Sequence, residues 1–454
     1  MKLIIFISIL TVTSGDIGFF DEDNPEFSDP PETVPTLRLV QVLYRHGDRS
    51  PTHNYTNDIY QESDWPQGYG QLSTEGMQQE FELGTFLRQE YVSTQFLSSE
   101  YTRSEVYVRS TSFDRALMSA YSVLAGLFPP IQEDRLWNEE ITWQPIPVHT
   151  VPLEEDYLLI PDHPCPVYEA AKNKTNENNP IIQQTMEEFS DFYSTVSLYS
   201  GEPNTWDGIG HVLDPIFCQE SSEYVLPDWV TNEVFYQIVQ LRDIYTSVAS
   251  SPRDFAYLKG GVLVGEMLDH MINKSKQDIS TPQKLFMYSA HDSTVQFFLT
   301  TLGIFNDKQP PYTACVIVEL HELQPGDFAV QFLYKNETGN DTDPYILTLP
   351  DCDDLCPLDK FAQLMRPSVP DDIRKACGVK STSNTQSGSS EGPSEPSGPE
   401  VSAVSGSPEV STITVIVLLC LIVLMVIIVA VLCCVKRDRL ANTHDYMPVP
   451  LEMS

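Results

Sequence analysis

Apolar positions along the chain follow two periods. Residues 37–44 form a β-branched, nearly continuous apolar run, the pattern of a strand covered on both faces. Residues 106–111 and 285–290 repeat it, while residues 313–323 and 328–335 alternate and predict an antiparallel edge hairpin. Helical spacing appears over residues 73–91, 114–127, 230–248 and 257–272. In the second of these, Ala116, Leu117, Ala120, Leu124 and Leu127 share a face, and Pro129-Pro130 stops the helix. Between residues 150 and 252 the chain is irregular, proline-containing and cysteine-bearing until the helical stretch at 230. The expectation is an α/β fold, a mixed sheet flanked by helices, with an inserted, mainly helical cap over about 150–252.

The two ends read differently. Lys2, the apolar residues 3–10 and the small Thr13-Ser14-Gly15 predict a signal peptide over 1–15, followed by a lead segment over 16–35. Residues 415–435 are uninterruptedly apolar and Lys436, Arg437 and Arg439 follow them, which predicts a single-pass type I transmembrane helix within 411–435. Residues 378–410 are rich in Ser, Gly, Pro and Glu without apolar periodicity, a flexible stalk. The 436–454 tail would lie in the cytosol, where Tyr446-Met447-Pro448-Val449 has the Y-x-x-Φ form of a segment read by sorting adaptors, with Tyr446 and Val449 as the contacts. The catalytic part would then face the lumen or the outside, at the lysosome, endosome or cell surface.

Composition agrees with an oxidising compartment. Six of the nine cysteines lie outside the apolar span, Cys165, Cys218, Cys315, Cys352, Cys356 and Cys377, and six cysteines permit 15 pairings. Five sequons begin at Asn54, Asn173, Asn273, Asn336 and Asn340; the last two follow an alternating strand, where a hairpin tip would present a glycan. The net charge of -37 repels a phosphate polyanion and excludes nucleic acid as a partner.

Chemistry concentrates at Arg45-His46-Gly47-Asp48-Arg49-Ser50-Pro51, where the first strand ends. A neutral imidazole can attack phosphorus, and guanidiniums fork onto phosphate oxygens. Phosphoryl transfer through a histidine also needs an acid for the leaving group, and Ala290-His291-Asp292 ends another strand. Asp292 would protonate the departing oxygen while His291 bonds the phosphoryl group. The segment ending in Arg109-Ser110-Thr111 supplies a further arginine. Three polar strand ends match the placement of ligands beyond the carboxyl ends of strands in open α/β sheets.

These segments resemble the histidine acid phosphatases, in their prostatic and lysosomal branch, over residues 36–377. The resemblance rests on RHGDRSP, WPQGYGQL at 65–72, VRST with Asp114-Arg115-Ala116-Leu117-Met118-Ser119-Ala120, WQPIPVH at 143–149 and YSAHDSTV. It implies His46 as the phosphorylated nucleophile, Arg45, Arg49, Arg109 and His291 as phosphate ligands, and Asp292 as proton donor. It also implies disulfides Cys165–Cys377, Cys218–Cys315 and Cys352–Cys356, a homodimer, and small phosphomonoester or phosphoprotein substrates. No cofactor or metal is called for. Ser112 stands where the family has an acid, and serine also caps helices well. Clustered guanidiniums would lower the pKa of His46, and a bound phosphate would raise that of Asp292. Two other readings are an inositol-phosphate-directed histidine phosphatase and a catalytically silent receptor or adhesion ectodomain; the intact residue set counts against the second.

Overall fold

The computed structural model describes residues 37–379 apart from 131–136, 139, 277–281, 338 and 340–341. The expected signal peptide, lead segment, transmembrane span and tail, with Tyr446, Val449 and Asn340, lie outside the described residues, as does the stalk beyond residue 379. Among the described residues no helix is long and apolar enough to cross a membrane.

Three parallel strands, β1 (Leu37–Arg45), β2 (Val106–Ser110) and β3 (Leu285–Ala290), stand in the order β2-β3-β1. The sheet continues antiparallel from β1 through β4 (Cys315–Gln324), β5 (Asp327–Lys335) and β6 (Tyr345–Leu347), and β7 (Cys356–Pro357) also pairs with β5. The β4–β5 hairpin expected at an edge is therefore interior. The strand that covers it, β6, has only three residues, two of them exposed, and so carries little pattern to read.

Successive residues of β1 enter two different cores, as the two-residue period of a strand requires. Val40, Val42 and Tyr44 pack under α1 (Thr74–Leu87) and α2 (Asp114–Leu127). Where residues 150–252 read as irregular until 230, four helices precede the expected one: α3 (Pro166–Asn176), α4 (Pro180–Glu188), α5 (Ser190–Ser200) and α6 (Trp206–Ser221), then α7 (Asn232–Ala249). Pro166 and Pro180 start helices instead of breaking them, since the first turn has no use for that N–H. Helices α5 to α7 share an apolar cluster of their own around Tyr193, Val196, Ile209, Ile216 and Leu241. Leu39 and Leu43, from the other face of β1, pack under α8 (Tyr257–Ser275), α9 (Asp292–Thr301) and α10 (Leu358–Met365). Each such fully buried Leu or Val stabilises the fold by about 1.5–3 kcal/mol.

Cys165–Cys377 and Cys352–Cys356 are disulfides. The pairing of Cys218 with Cys315 is not formed, and both are buried free thiols. Their surroundings differ: Cys218 on α6 lies against Arg49, Asp214 and the Tyr312 hydroxyl, whereas Cys315 opens β4 opposite Tyr44, in the core beneath α1 and α2. Asn173 is exposed on α3, Asn54 and Asn336 are half-buried in loops, and Asn273 is half-buried on α8.

Candidate active site

The carboxyl ends of β1, β2 and β3 converge because these strands are parallel neighbours. The backbone N–H of His46 donates to Ala290 O at 3.0 Å, tying the end of β1 to the end of β3. The loop after His46 presses against the start of α1. A Cβ on Gly47 would lie 2.4 Å from Gly76 O, and one on Gly76 would lie 2.2 Å from Asp48 O. Neither glycine can be replaced without moving backbone. Asp48 is buried beneath the loop, where its carboxylate accepts from the hydroxyls of Ser73, the N-cap of α1, and Ser221 on α6.

The orientation of the His46 ring follows from one contact. Its Nδ1 is 2.9 Å from Gly47 O. A carbonyl only accepts, so Nδ1 carries the hydrogen and Nε2 holds the free lone pair. Burial, and then the charges of Arg45, His291, Arg49 and Arg115, hold its pKa well below the usual imidazole range. His46 is neutral in acid for that reason.

Arg45 is anchored by donation to Pro310 O at 2.7 Å, with Cζ 4.3 Å from the centre of the Tyr312 ring. Its Nη2 stands 3.0 Å from Asp292 Oδ2, and its Nε has no acceptor. Arg49 forks onto Asp214 of α6 at 3.0 and 3.1 Å, leaving its buried Nε unbonded. Asp292 is the first residue of α9, and its Oδ2 accepts from Gln309 Nε2 at 2.7 Å. Burial raises the Asp292 pKa, but Arg45, His46 and Arg49 outweigh it and hold the carboxyl far below its ordinary value. His291 is lowered to about 3, by burial first and then by Arg115.

Arg109 is paired with a carboxylate outside this group. It lies on the face of β2 that carries Tyr107, against α8, where its Nη2 is 2.6 Å from the buried carboxylate of Asp156 and it also donates to Ser110 O. Its pairing with Asp156 engages that guanidinium, and a third arginine comes from α2. Arg115 Nη2 is 3.5 Å from His291 Nδ1, its Cζ lies 4.5 Å from the centre of the Phe113 ring, and its buried Nε has no partner. The signal for it was present in Asp114-Arg115, read only as helix. Ser112 does not cap α2; the N-cap is the extended Phe113, with no side-chain bond. Thr111 at the end of β2 does reach the site, its hydroxyl 3.0 Å from His291 Nε2. Asp214, Gln309 and Tyr312 belong to no local motif and were not foreseen.

Three guanidiniums with unbonded buried nitrogens, one further imidazole and one carboxylate thus surround the His46 ring, whose centre is 5.5 Å from that of His291. The arrangement suits a tetrahedral dianion with a nucleophile on one side and an acid on the other.

Comparison with known proteins agrees. Residues 36–335 match the model described as histidine phosphatase superfamily (branch 2). Lysosomal acid phosphatase of Rattus norvegicus is 42% identical over 363 residues, 79% of this chain and 84% of that protein. Prostatic acid phosphatase of Homo sapiens is 40% identical over 349 residues, 75% of this chain and 88% of that protein. Among solved structures, the apo form of Hafnia alvei phytase superposes with a TM-score of 0.60 at 17% identity, covering 77% of this chain and 99% of that one, a likeness of fold.

Proposed function

The chain belongs to the histidine phosphatase superfamily, branch 2, and from that premise we propose how its residues divide the work of an acid phosphatase that hydrolyses phosphate monoesters through a phosphohistidine. Arg45, Arg49 and Arg115 hold the three non-bridging oxygens and His291 adds a hydrogen bond. His46 Nε2 attacks phosphorus in line with the ester oxygen, and the P–O bond to the alcohol breaks as the P–N bond forms. Asp292 gives its proton to the departing alkoxide. In the second step the same carboxylate takes a proton from water as the water oxygen attacks phosphorus, which frees His46 and inorganic phosphate.

The proton on Asp292 needs a source, because Arg45 keeps the ligand-free carboxyl ionised. A phosphate monoester has its second pKa near 6, so in acid it arrives as a monoanion and brings the proton with it. Once bound, the phosphate offsets the arginine charges and raises the pKa of Asp292. Acid therefore favours the reacting state without protonating His46.

The observation that carries this reading is the Nδ1 contact to Gly47 O, which leaves the lone pair on Nε2. Rapid quenching of the full-length enzyme in alkali during turnover of labelled substrate should trap an acid-labile phosphoenzyme, absent from folded His46→Ala protein. Phosphoenzyme or substantial turnover in that variant sinks the assignment. The names of the lysosomal relatives support a lumenal catalytic part, and the apolar residues 415–435 support a single-pass anchor. Release of the full-length protein from membranes by alkaline carbonate would remove the anchor from the reading.

A further inference from the structure

The leaving group has to depart past Asp292, and the space beyond that carboxyl is a cavity of about 330 Å³ whose wall includes Asp214, Arg242, Thr246, Gln296 and Gln309. Arg242 comes from α7. Its Cζ lies 3.4 Å from the centre of the Phe217 ring, so one face of the guanidinium is covered by an aromatic surface. No described residue gives it a hydrogen bond or an ion pair. A half-buried guanidinium normally satisfies its five N–H donors. This one is held flat by stacking, with its donors uncommitted at the wall of the cavity.

Asp214 attracts it from a distance, but neither carboxylate nearby is bonded to it. Asp214 is engaged through both oxygens by Arg49, and Asp292 faces Arg45 and Gln309. Arg242 also borders a second cavity of about 590 Å³, shared with Arg45, Tyr312, Asp243 and Glu337. That second space carries two carboxylates without an arginine or lysine partner among the described residues, so an anion is better accommodated on the Asp292 side. Burial and then the charge of Arg45 push the Arg242 pKa down, and the charge of an incoming negative group would act against that shift.

We propose that Arg242 is a specificity-determining residue that receives a negatively charged group, a second phosphate or a carboxylate, carried by the leaving alcohol of a phosphate monoester whose phosphoryl group faces His46. The proposal rests on the assignment of His46 and Asp292 above, which sets the side from which the alcohol departs. A stacked guanidinium presents its paired N–H edge to such a group, a geometry a lysine does not reproduce. In a chain with a net charge of -37 a doubly anionic substrate meets repulsion at most of the surface. Arg242 makes the leaving-group side of this site an exception.

The test uses full-length enzyme with phenyl phosphate and two derivatives that carry a carboxylate or a phosphonomethyl group on the ring. The quantity read is the ratio of kcat/KM for the charged derivative to that for phenyl phosphate. Arg242→Gln should lower this ratio about ten- to a hundred-fold, the range for loss of a charge-assisted bond to an anion, with the change chiefly in KM. Arg242→Lys, which keeps the charge and loses the fork, should fall between. Turnover of phenyl phosphate shows that each variant is folded. An unchanged ratio in both variants, or equal losses on all three substrates, overturns the role of Arg242. Failure of the wild type on phenyl phosphate overturns the phosphatase reading as well, so the two failures are told apart.

Discussion

Asp292→Asn separates the two things a carboxyl group can do at this site. The amide keeps the shape and can still accept from Gln309 Nε2, now 2.7 Å from Oδ2, but it neither donates a proton to an alkoxide as an acid does nor carries charge. Two unit charges 3.0 Å apart, as at Arg45 Nη2 and Asp292 Oδ2, attract by roughly 5–6 kcal/mol at an effective dielectric of about 20, before the cost of desolvation. The substitution releases that hold, so Arg45 faces phosphate unopposed and inorganic phosphate and vanadate should inhibit at least as well as in the wild type. Chemistry responds in the opposite direction. General acid catalysis contributes about a hundred- to ten-thousand-fold, or roughly 3–5.5 kcal/mol of barrier, and an alkoxide needs all of it. A nitrophenolate departs nearly unaided. Alkyl phosphate kcat/KM should therefore fall by about two to four orders of magnitude, and nitrophenyl phosphate by roughly tenfold or less. Steady-state kinetics on both substrates, with phosphate inhibition constants, make the comparison. Equal losses on the two, or weakened phosphate binding, would mean that Asp292 holds the site together and that the acid lies elsewhere.

Arg115→Met should lower kcat/KM about a hundred- to a thousand-fold and weaken phosphate inhibition, as expected when one preorganised charge is removed. Arg109→Met should leave phosphate inhibition in place but strand the buried Asp156 carboxylate, costing about 3–5 kcal/mol of stability; the reverse pattern would return Arg109 to the site. The His270 ring stacks on Phe286 with centres 3.9 Å apart, and its pKa is lowered to about 4, chiefly by burial. A lowered histidine contributes stability above its unfolded pKa of about 6.5 and loses it as pH falls towards the folded value, so the loss at pH 5 is roughly 2 kcal/mol. Urea unfolding of full-length protein, followed by tryptophan fluorescence, should show a shallower decline between pH 7 and 5 for His270→Gln, and parallel slopes refute the assignment.

Local chemistry was the legible part of the site. Arg45, His46 and Arg49 are close in sequence and end one strand, so a short motif names them, and the same holds for His291 and Asp292 at the junction of β3 and α9. Arg109 ends its strand as expected, but no local pattern shows that its guanidinium pairs with Asp156, a carboxylate distant in sequence. Arg115 was hidden by the opposite circumstance: it begins a regular helix, and nothing in a helical pattern says that its first turn points at a phosphate. Asp214, Arg242, Gln309 and Tyr312 come from elements distant in sequence from the motif, and no spacing rule connects them. The Cys218 pairing failed for a comparable reason, since its thiol faces the Arg49–Asp214 pair at the cap side while Cys315 faces the sheet core.

The charges of the site and of the core do not all lean the same way. His46 and His291 stay neutral in acid through burial and neighbouring arginines, which is what a histidine nucleophile working in acid requires. Their lowered values, with that of His270, draw stability away as pH falls below about 6.5. Glu80 has the contrary effect: fully buried on α1, it is held protonated by burial, well above the ordinary carboxylate range. A raised carboxyl contributes stability that is complete below its unfolded pKa of about 4.3 and is lost as pH rises through the folded value. Between these two limits the slopes oppose, with three histidines against one carboxyl; above them only the Glu80 loss acts, and below them only the histidine loss. Summed over these buried groups, stability is greatest near the upper limit, so the more acid range in which a monoanionic ester can carry its proton to Asp292 is reached at some cost in stability.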